Sequence, residues 1–458
     1  MIHKTPVFGL WTLVALVVGN AVGAGIYTTS GYSLADLGSR EWVMLAWFVG
    51  GLIALCGAVS YGMLVRGITE SGGEYLYLSR SIHPVAGYIA GWISLLAGFP
   101  GAIAFAASAF ESYTKGAFGW LAWLPNDVLA VTVTLLAGLV HIVRVKTGAR
   151  THEAIVFAML VILTGLILWA GTLLISNAMS LAGDTHAHSN GLSYGLSSGL
   201  SYGNSLAPLN LFAFANSLVW ISLSYSGFNA AAYVAGEVDD AKRIVPLGMV
   251  IGTLATLVLC VLINAIFLYS TSPENLVGRP DVALVAAQAL AGNWGRWLIQ
   301  IVIAISLLTS ITAMVLAGPR VYAKMAEDGA LPKLFTARKG EPPRASIVLQ
   351  VAMAVLLIVV ADLRDLLSYL GFTLSLCLAL AVTSLFVRHY RYGEVPHSIF
   401  YPWAPVLFVG CTVVFAILGA LHDPMQFAAA VPTILAGVLA YYLTQKFSHR
   451  PVTISTEA

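Results

Sequence analysis

Twelve apolar runs, several of them longer than a bilayer requires, constrain this chain more than any other feature. The hydrocarbon core of a membrane is about 30 Å thick, and a helix of about 20 mostly apolar residues crosses it. Runs of this kind recur along the chain with only short polar segments between them. We therefore predict an all-α integral membrane protein with twelve transmembrane helices. The runs cover residues 8–36, 42–65, 84–113, 127–143, 154–176, 209–235, 246–269, 294–324, 345–361, 366–387, 403–421 and 427–447.

The composition excludes the water-soluble classes. Apolar residues make up 59% of the 458 and charged residues only 10%, whereas a soluble fold uses about a quarter of its residues as Asp, Glu, Lys and Arg. A soluble enzyme, a disordered protein and a nucleic-acid binder are excluded, and the net charge of +2 is too small to indicate a polyanionic partner. The four cysteines lie singly in apolar runs without C-x-x-C spacing, so neither a disulfide framework nor a metal site is expected.

Basic residues predict the orientation. If the N-terminus is cytoplasmic, 18 of the 23 Lys and Arg residues lie on the cytoplasmic side, as the positive-inside rule requires. Both termini are then inside the cell, which needs an even number of spans and agrees with twelve. We expect a multi-pass protein of the cell membrane with a cytoplasmic tail at 448–458.

The segment 183–205 is rich in Gly and Ser and contains no Lys or Arg. We predict that it is a flexible outer loop between the fifth and sixth spans. Its Asp184, His186 and His188 are residue types that bind metals, but a flexible loop would hold three ligands poorly. No metal site is expected there.

Two spans contain features that interrupt a helix at the depth of the membrane centre. The first span has glycines at Gly19, Gly23 and Gly25, and the sixth has a cluster of serines and Asn229 around Gly227. Unwinding a turn exposes backbone groups that are tolerated in a membrane only beside a polar cavity. Helix N-termini there favour anions and C-termini favour cations, so two broken helices could bind both poles of an amino acid. Close helix packing is the alternative, because Gly19 and Gly23 also form a G-x-x-x-G pattern.

Several segments, taken in order, resemble the amino acid–polyamine–organocation transporters. The run G-N-A-V-G-A-G-I-Y at 19–27 is similar to that family's first-helix motif, and L-S-Y-S-G-F-N at 223–229 is similar to its sixth helix. E-S-G-G-E-Y-L-Y at 70–77 and L-A-G-P-R at 316–320 resemble the segment before the third helix and the end of the eighth. The LAT-like exchangers and the bacterial arginine/agmatine antiporters are the most similar branches.

The resemblance implies a fold of two inverted repeats of five helices, with discontinuous helices 1 and 6 and two extra C-terminal helices. The first repeat would cover 6–176, the second 208–390, and helices 11 and 12 would cover 400–447. The protein would be a monomer or a homodimer without a cofactor.

The resemblance also implies residue roles. Backbone amides of Gly23, Ala24 and Gly25 would bind a substrate carboxylate, and carbonyls of Ala21, Leu223 and Ser226 would bind the α-amino group. Further residues would line, brace or pack beneath the cavity; these are Asn20, Ile26, Tyr225, Gly227, Phe228 and Asn229.

Three positions depart from the family pattern. Leu223 lies where the family has an aromatic gate, Asn229 where some antiporters have a glutamate, and Met159 where many LAT-like members have a lysine. The hydroxyls of Thr309 and Ser310 could bind sodium, or could donate hydrogen bonds to backbone carbonyls one turn earlier in the helix. Exchange, proton coupling and sodium coupling all stay open.

Few other charges fall within the spans. We expect Glu111 to pair with Lys115, and Glu153 and Glu237 to pair with basic residues of the inner loops, and we expect no other carboxylate near the bilayer centre. The motifs of hydrolytic membrane enzymes and the pore signatures of channels are missing. The sequence therefore favours a secondary transporter for small or neutral amino acids over an enzyme, a channel or a sensor.

Overall fold

A computed structural model describes residues 8–143, 145–183, 208–337, 341–360, 363–396, 398–422 and 424–447. Regular structure in these residues is helical, without strands. The predicted outer loop lies almost entirely outside the described residues, as do Asp184, His186 and His188. The α-helices are α1 Leu10–Ala21, α2 Gly25–Leu37, α3 Arg40–Gly67, α4 Gly73–Ser81, α5 Pro84–Ile93, α6 Phe99–Ala117, α7 Val128–Val143, α8 Val145–Gly183, α9 Leu211–Ser224, α10 Ala241–Tyr269, α11 Val282–Glu327, α12 Arg344–Val360, α13 Leu363–Tyr392, α14 Trp403–His422 and α15 Pro424–Phe447.

Helices lie over each of the predicted apolar runs, although not all of them meet a strict criterion for a membrane span. In the described part of the chain, seven helices are long and apolar enough to cross a bilayer, and the bent pair α1 and α2 makes an eighth. Shorter apolar helices lie at Val128–Val143, Arg344–Val360 and Trp403–Leu418. A multi-pass, all-helical membrane protein is thus confirmed, and the twelve-span count stays a prediction.

Helix α11 is longer than the predicted run at 294–324. It begins at Val282 and is interrupted at Ala291 and Gly292, where Gly292 has a φ of +61°. Glycine tolerates this left-handed conformation, so the chain turns there before the long apolar part begins. The sequence prediction missed the segment before this turn.

Proline and its neighbours shape the third span. His83 caps α5 by accepting a hydrogen bond from the Val85 amide (3.2 Å), and Pro84 occupies the first turn. Between α5 and α6 the helix widens into a π-helical turn at Ser94–Gly98, just before Pro100. Pro100 has no N–H to donate. A π-helical turn of this kind occurs where the regular series of helix hydrogen bonds is disturbed. The wider turn places Ser94 at the wall of the central cavity.

Burial separates central from peripheral helices. In α11, 83% of the most apolar stretch is buried, against 22% in the corresponding stretch of α8. Nine of the twelve residues of α1 are also buried, and the helix packs against α8, α10, α11 and the segment that follows α9. A helix that is apolar on all sides belongs in the interior of a bundle. The first span therefore lies at the centre of the molecule.

Candidate functional site

The first and sixth spans are both interrupted, and the two interruptions lie side by side. Helix α1 ends at Ala21 and α2 begins at Gly25 at an angle of 41° to it. Helix α9 ends at Ser224, and the chain continues as a 3₁₀-helix over Ser226–Glu237. Both interruptions lie where the sequence predicted them.

Glycines allow the two breaks to touch. A Cβ on Gly227 would lie 2.5 Å from the backbone nitrogen of Ala21 and 2.8 Å from the carbonyl carbon of Asn20. A Cβ on Gly25 would overlap the Ser224 hydroxyl. By contrast, a Cβ on Gly19 would lie 2.7 Å from the His152 ring. Gly19 therefore serves close packing against α8, whereas Gly25 and Gly227 bring the two breaks together.

A cavity of about 140 Å³ lies between the two breaks. Its walls come from both broken spans, from α4, from the π-turn and α6, and from α11 and α13. The lining residues from the broken spans are Asn20, Ala21, Gly23, Ala24, Gly25, Ser224, Ser226, Asn229 and Tyr233. The other walls contribute Glu74, Ser94, Gly98, Phe99, Ala102, Phe105, Ala106, Ser310, Met314, Leu374, Cys377 and Leu378.

Eight of the predicted site residues line this cavity, and five others lie outside its wall. The lining residues are Asn20, Ala21, Gly23, Ala24, Gly25, Ser226, Asn229 and Ser310. Ile26, Tyr225, Gly227, Phe228 and Thr309 are buried nearby, and the side chain of Leu223 is outside the described part. The Tyr225 hydroxyl donates to the Trp47 carbonyl (3.1 Å), and Tyr225 and Phe228 line an adjoining, mostly apolar cavity of about 50 Å³.

The backbone at the first break offers free donors. The Gly23 amide donates to the Ala21 carbonyl (2.9 Å), and the Tyr27 amide donates to the Ala24 carbonyl (3.1 Å). Within the described residues, the amides of Ala24, Gly25 and Ile26 have no acceptor. Such amides at a helix N-terminus carry partial positive charge and attract an anion.

The second break contributes polar side chains as well as backbone. Helix α9 ends beside the cavity, and carbonyls of a last helical turn have no partner within their own helix. The Ser224 hydroxyl is buried at the cavity wall and makes no hydrogen bond in the described part of the chain. A buried hydroxyl without a partner costs free energy, so it is available to a ligand.

Glu74 is a buried carboxylate at the cavity that the sequence prediction did not place in the site. Its side chain is 4% exposed and forms part of the cavity wall. It accepts hydrogen bonds from the hydroxyls of Tyr61 (2.6 Å) and Tyr233 (2.7 Å) and from Asn229 Nδ2 (2.7 Å). The sequence places Glu74 in a segment between apolar runs, so no polar residue inside a span signalled it.

The apolar lining was missed as well. Phe99, Ala102, Phe105 and Ala106 form one face of α6 toward the cavity. They occur in a run whose residues are apolar on every side of the helix. Periodicity in such a run does not show which face meets a cavity and which meets another helix.

Thr309 and Ser310 contact the first break from α11. Thr309 Oγ1 donates to the Ser306 carbonyl in its own helix (2.6 Å), which is the alternative to sodium binding given above. The same oxygen lies 3.4 Å from the Gly19 carbonyl oxygen. Ser310 Oγ lies 3.1 Å from the same carbonyl oxygen and 3.4 Å from that of Val22. Met159 Sδ is 3.6 Å from Thr309 Oγ1, so a neutral thioether occupies this position.

Glu111 pairs with Lys115 as expected, at 2.7 Å. Glu237 also pairs with a basic residue, Arg320 (3.1 Å to Nη2), but this residue is buried in helix α11 and does not belong to an inner loop. Glu153 accepts a hydrogen bond from Thr12 (3.0 Å). The side chains of Arg144 and Lys146 in the nearby inner loop lie outside the described part of the chain, so pairing of Glu153 with a basic residue stays a prediction.

Comparisons with known proteins cover nearly the whole chain. The profile of a family described as "Amino acid permease" matches residues 8–443. The serine/threonine exchanger SteT of Bacillus subtilis is 25% identical over 96% of this chain and 96% of its own. The human cystine/glutamate transporter is 25% identical over 96% of this chain and 85% of its own. The large neutral amino acids transporter small subunit 2 of Oryctolagus cuniculus is 24% identical over 97% and 81%.

Proposed function

The chain belongs to the amino acid permease family, and on that premise we propose that it exchanges small or neutral amino acids across the cell membrane. Its relatives are named as amino acid transporters and exchangers, and the chain is a transporter rather than an enzyme. The observation that carries the proposal is a cavity whose wall contains residues of both broken spans.

The cavity offers separate places for the two ends of an amino acid. The substrate carboxylate binds at the N-terminus of α2. The backbone amides of Ala24, Gly25 and Ile26 lie there, and they have no acceptor in the described structure. The α-ammonium group binds the carbonyls of Ala21, Leu223 and Ser226, near the C-terminus of α9. This division follows the direction of the helix dipoles, and discontinuous helices bind zwitterions in this way.

A neutral or small side chain suits the remaining walls. Phe99, Ala102, Phe105, Ala106 and Met314 give an apolar surface on the side of the cavity formed by α6 and α11. Pockets of this kind gain affinity from apolar contact and orientation from a few polar groups.

Transport proceeds by alternating access around the two breaks. The proposed topology has twelve transmembrane helices in two inverted repeats of five, with two further helices and both termini in the cytoplasm. In such folds one bundle moves against the other around a fixed midplane site. The protein works as a monomer or a homodimer and needs no cofactor.

Exchange is tested with purified protein in proteoliposomes. Uptake of labelled alanine, serine and leucine is compared between empty vesicles and vesicles preloaded with the same amino acid. We expect preloading to stimulate uptake. Absence of uptake for all three, from a folded protein, would refute transport of small or neutral amino acids, and equal uptake with and without preloading would refute exchange.

Sodium coupling is the second candidate, and one observation favours it. The Ser310 hydroxyl lies 3.1 Å from the Gly19 carbonyl oxygen and 3.4 Å from the Val22 carbonyl oxygen. Oxygen groups of this type bind hard cations. An inward sodium gradient applied to empty vesicles separates the two candidates, since it drives uptake only if sodium is coupled. A proton gradient in a parallel sample tests proton coupling in the same way.

A further inference from the structure

Glu74 reaches the cavity because the chain before it contains two glycines. Gly72 and Gly73 have φ values of +148° and +54°, which favour glycine. A Cβ on Gly73 would overlap the Tyr233 ring. The start of α4 therefore packs directly against the 3₁₀ segment of the sixth span, and this contact places Glu74 beside Asn229.

The hydrogen bonds around Glu74 hold it as an acceptor. Oε1 receives hydrogen bonds from the Tyr61 hydroxyl and Asn229 Nδ2, and Oε2 receives one from the Tyr233 hydroxyl. A carboxylate has about four acceptor positions on its two oxygens. Three are used among the described residues, which leaves one position, on Oε2, for a donor from the cavity.

The charge of the cavity wall is not balanced. Glu74 is the only Asp, Glu, Lys, Arg or His side chain among the lining residues of the described structure. The ion pairs formed by the described residues do not include it. A buried carboxylate without a cationic partner is costly, and acidic groups inside membrane proteins mark the paths of ions and substrates.

We propose that Glu74 is a specificity-determining residue that binds the side-chain ammonium group of a cationic amino acid. This inference rests on the proposed transport function and widens it, because the site then accepts short cationic amino acids in addition to neutral ones. The carboxylate and α-ammonium poles bind at the two helix breaks as for a neutral substrate. The distal ammonium group donates to the free position on Oε2 and balances the charge of the wall.

Ornithine and norvaline form a matched pair of probes, since norvaline has the same carbon chain and no distal ammonium group. Their affinities are measured by calorimetry on the purified protein and on Glu74→Gln, which removes the charge and keeps the shape. We expect Glu74→Gln to weaken ornithine binding by about tenfold or more, as for loss of a charged hydrogen bond, and to change norvaline binding by less than about twofold.

Glu70→Gln is the control variant. Glu70 belongs to the same segment, but its side chain is half exposed and pairs with Lys324 rather than facing the cavity. We expect this variant to keep the ratio of the two affinities. Glu74→Asp, which keeps the charge on a shorter side chain, is expected to bind ornithine better than Glu74→Gln does.

Several outcomes would overturn the proposal. Equal weakening of ornithine and norvaline in Glu74→Gln, or no change in either, contradicts a role in selecting a cationic group. If neither variant at position 74 folds, the unmodified protein decides, since ornithine binding no tighter than norvaline binding refutes the proposal. Parallel exchange assays report on the proposed function separately, because transport of norvaline without ornithine refutes only the present inference.

Discussion

The two broken spans reach the same cavity by different structural means. In the first span only three residues separate α1 from α2, and the chain resumes as a regular α-helix at Gly25. In the sixth span no α-helix resumes at the break, and a 3₁₀-helix of twelve residues runs from Ser226 to Glu237. A 3₁₀-helix of this length is uncommon, because its hydrogen bonds are poorer than those of an α-helix.

This difference assigns different chemistry to the two breaks. The first break presents backbone amides at the start of α2 and no charged side chain. The second presents Ser224, Ser226 and Asn229. It also holds Glu74 at the cavity through hydrogen bonds from Asn229 and Tyr233. We infer that the first break recognises the carboxylate common to all amino acids, whereas the second discriminates among substrates.

The largest effect is expected where the two breaks touch through backbone atoms. Gly227→Val places side-chain carbons against the backbone of Asn20 and Ala21, which has no freedom to move aside. We expect exchange to fall by at least about 100-fold, since displacements of about 1 Å in a site can have this effect. Uptake is measured alongside thermal stability.

Gly171→Val is the control for this substitution. Gly171 lies in α8, and a Cβ there would meet no atom within 4 Å. This variant should transport at nearly the normal rate. Normal transport by Gly227→Val would show that the two breaks do not need their close contact.

A smaller effect is expected at Gly25, where the added atom meets a side chain instead of backbone. Gly25→Ala overlaps the Ser224 hydroxyl, and a hydroxyl can rotate or be removed. We expect about a tenfold loss of exchange, which corresponds to about 1.4 kcal/mol. The double variant Gly25→Ala with Ser224→Ala should recover part of the loss, because the overlapping atom is gone.

Uptake rates for both single variants and the double variant form a mutant cycle that checks this contact. Strictly additive losses would contradict the proposed clash.

The smallest effect is expected at Tyr225, which the sequence placed in the site and the structure places beside it. Its hydroxyl donates to the Trp47 carbonyl, away from the candidate cavity. Tyr225→Phe should lower stability by about 1 kcal/mol, the usual value for one hydrogen bond, and leave the KM for exchange within about twofold. A large rise in KM with unchanged stability would show that Tyr225 contacts substrate.

The positions of both breaks could be predicted because helix-breaking residues are local signals. Gly23 and Gly25 marked the end of α1 and the start of α2, and the polar cluster around Gly227 marked the end of α9. Each signal depends on backbone preference and on the need to satisfy polar groups in a membrane. Both are readable from a single sequence.

The remaining walls of the cavity depend on how distant segments pack, and a single sequence does not contain that information directly. Glu74 precedes the third span in the sequence and enters the cavity only because Gly73 packs against Tyr233. Phe105 and Ala106 look like any other apolar residues of α6. Tyr225 was assigned to the site by its place in a motif, yet it lines a neighbouring cavity and its hydroxyl donates to the Trp47 carbonyl.

The most direct test is a cryo-EM map of the protein bound to an amino acid that the exchange assay identifies as a substrate. Our interpretation predicts density between the two breaks, with the carboxylate at the Ala24 and Gly25 amides and the ammonium group near the Ser226 carbonyl. Density in the apolar cavity beside Tyr225 and Phe228, with the space between the breaks empty, would contradict it.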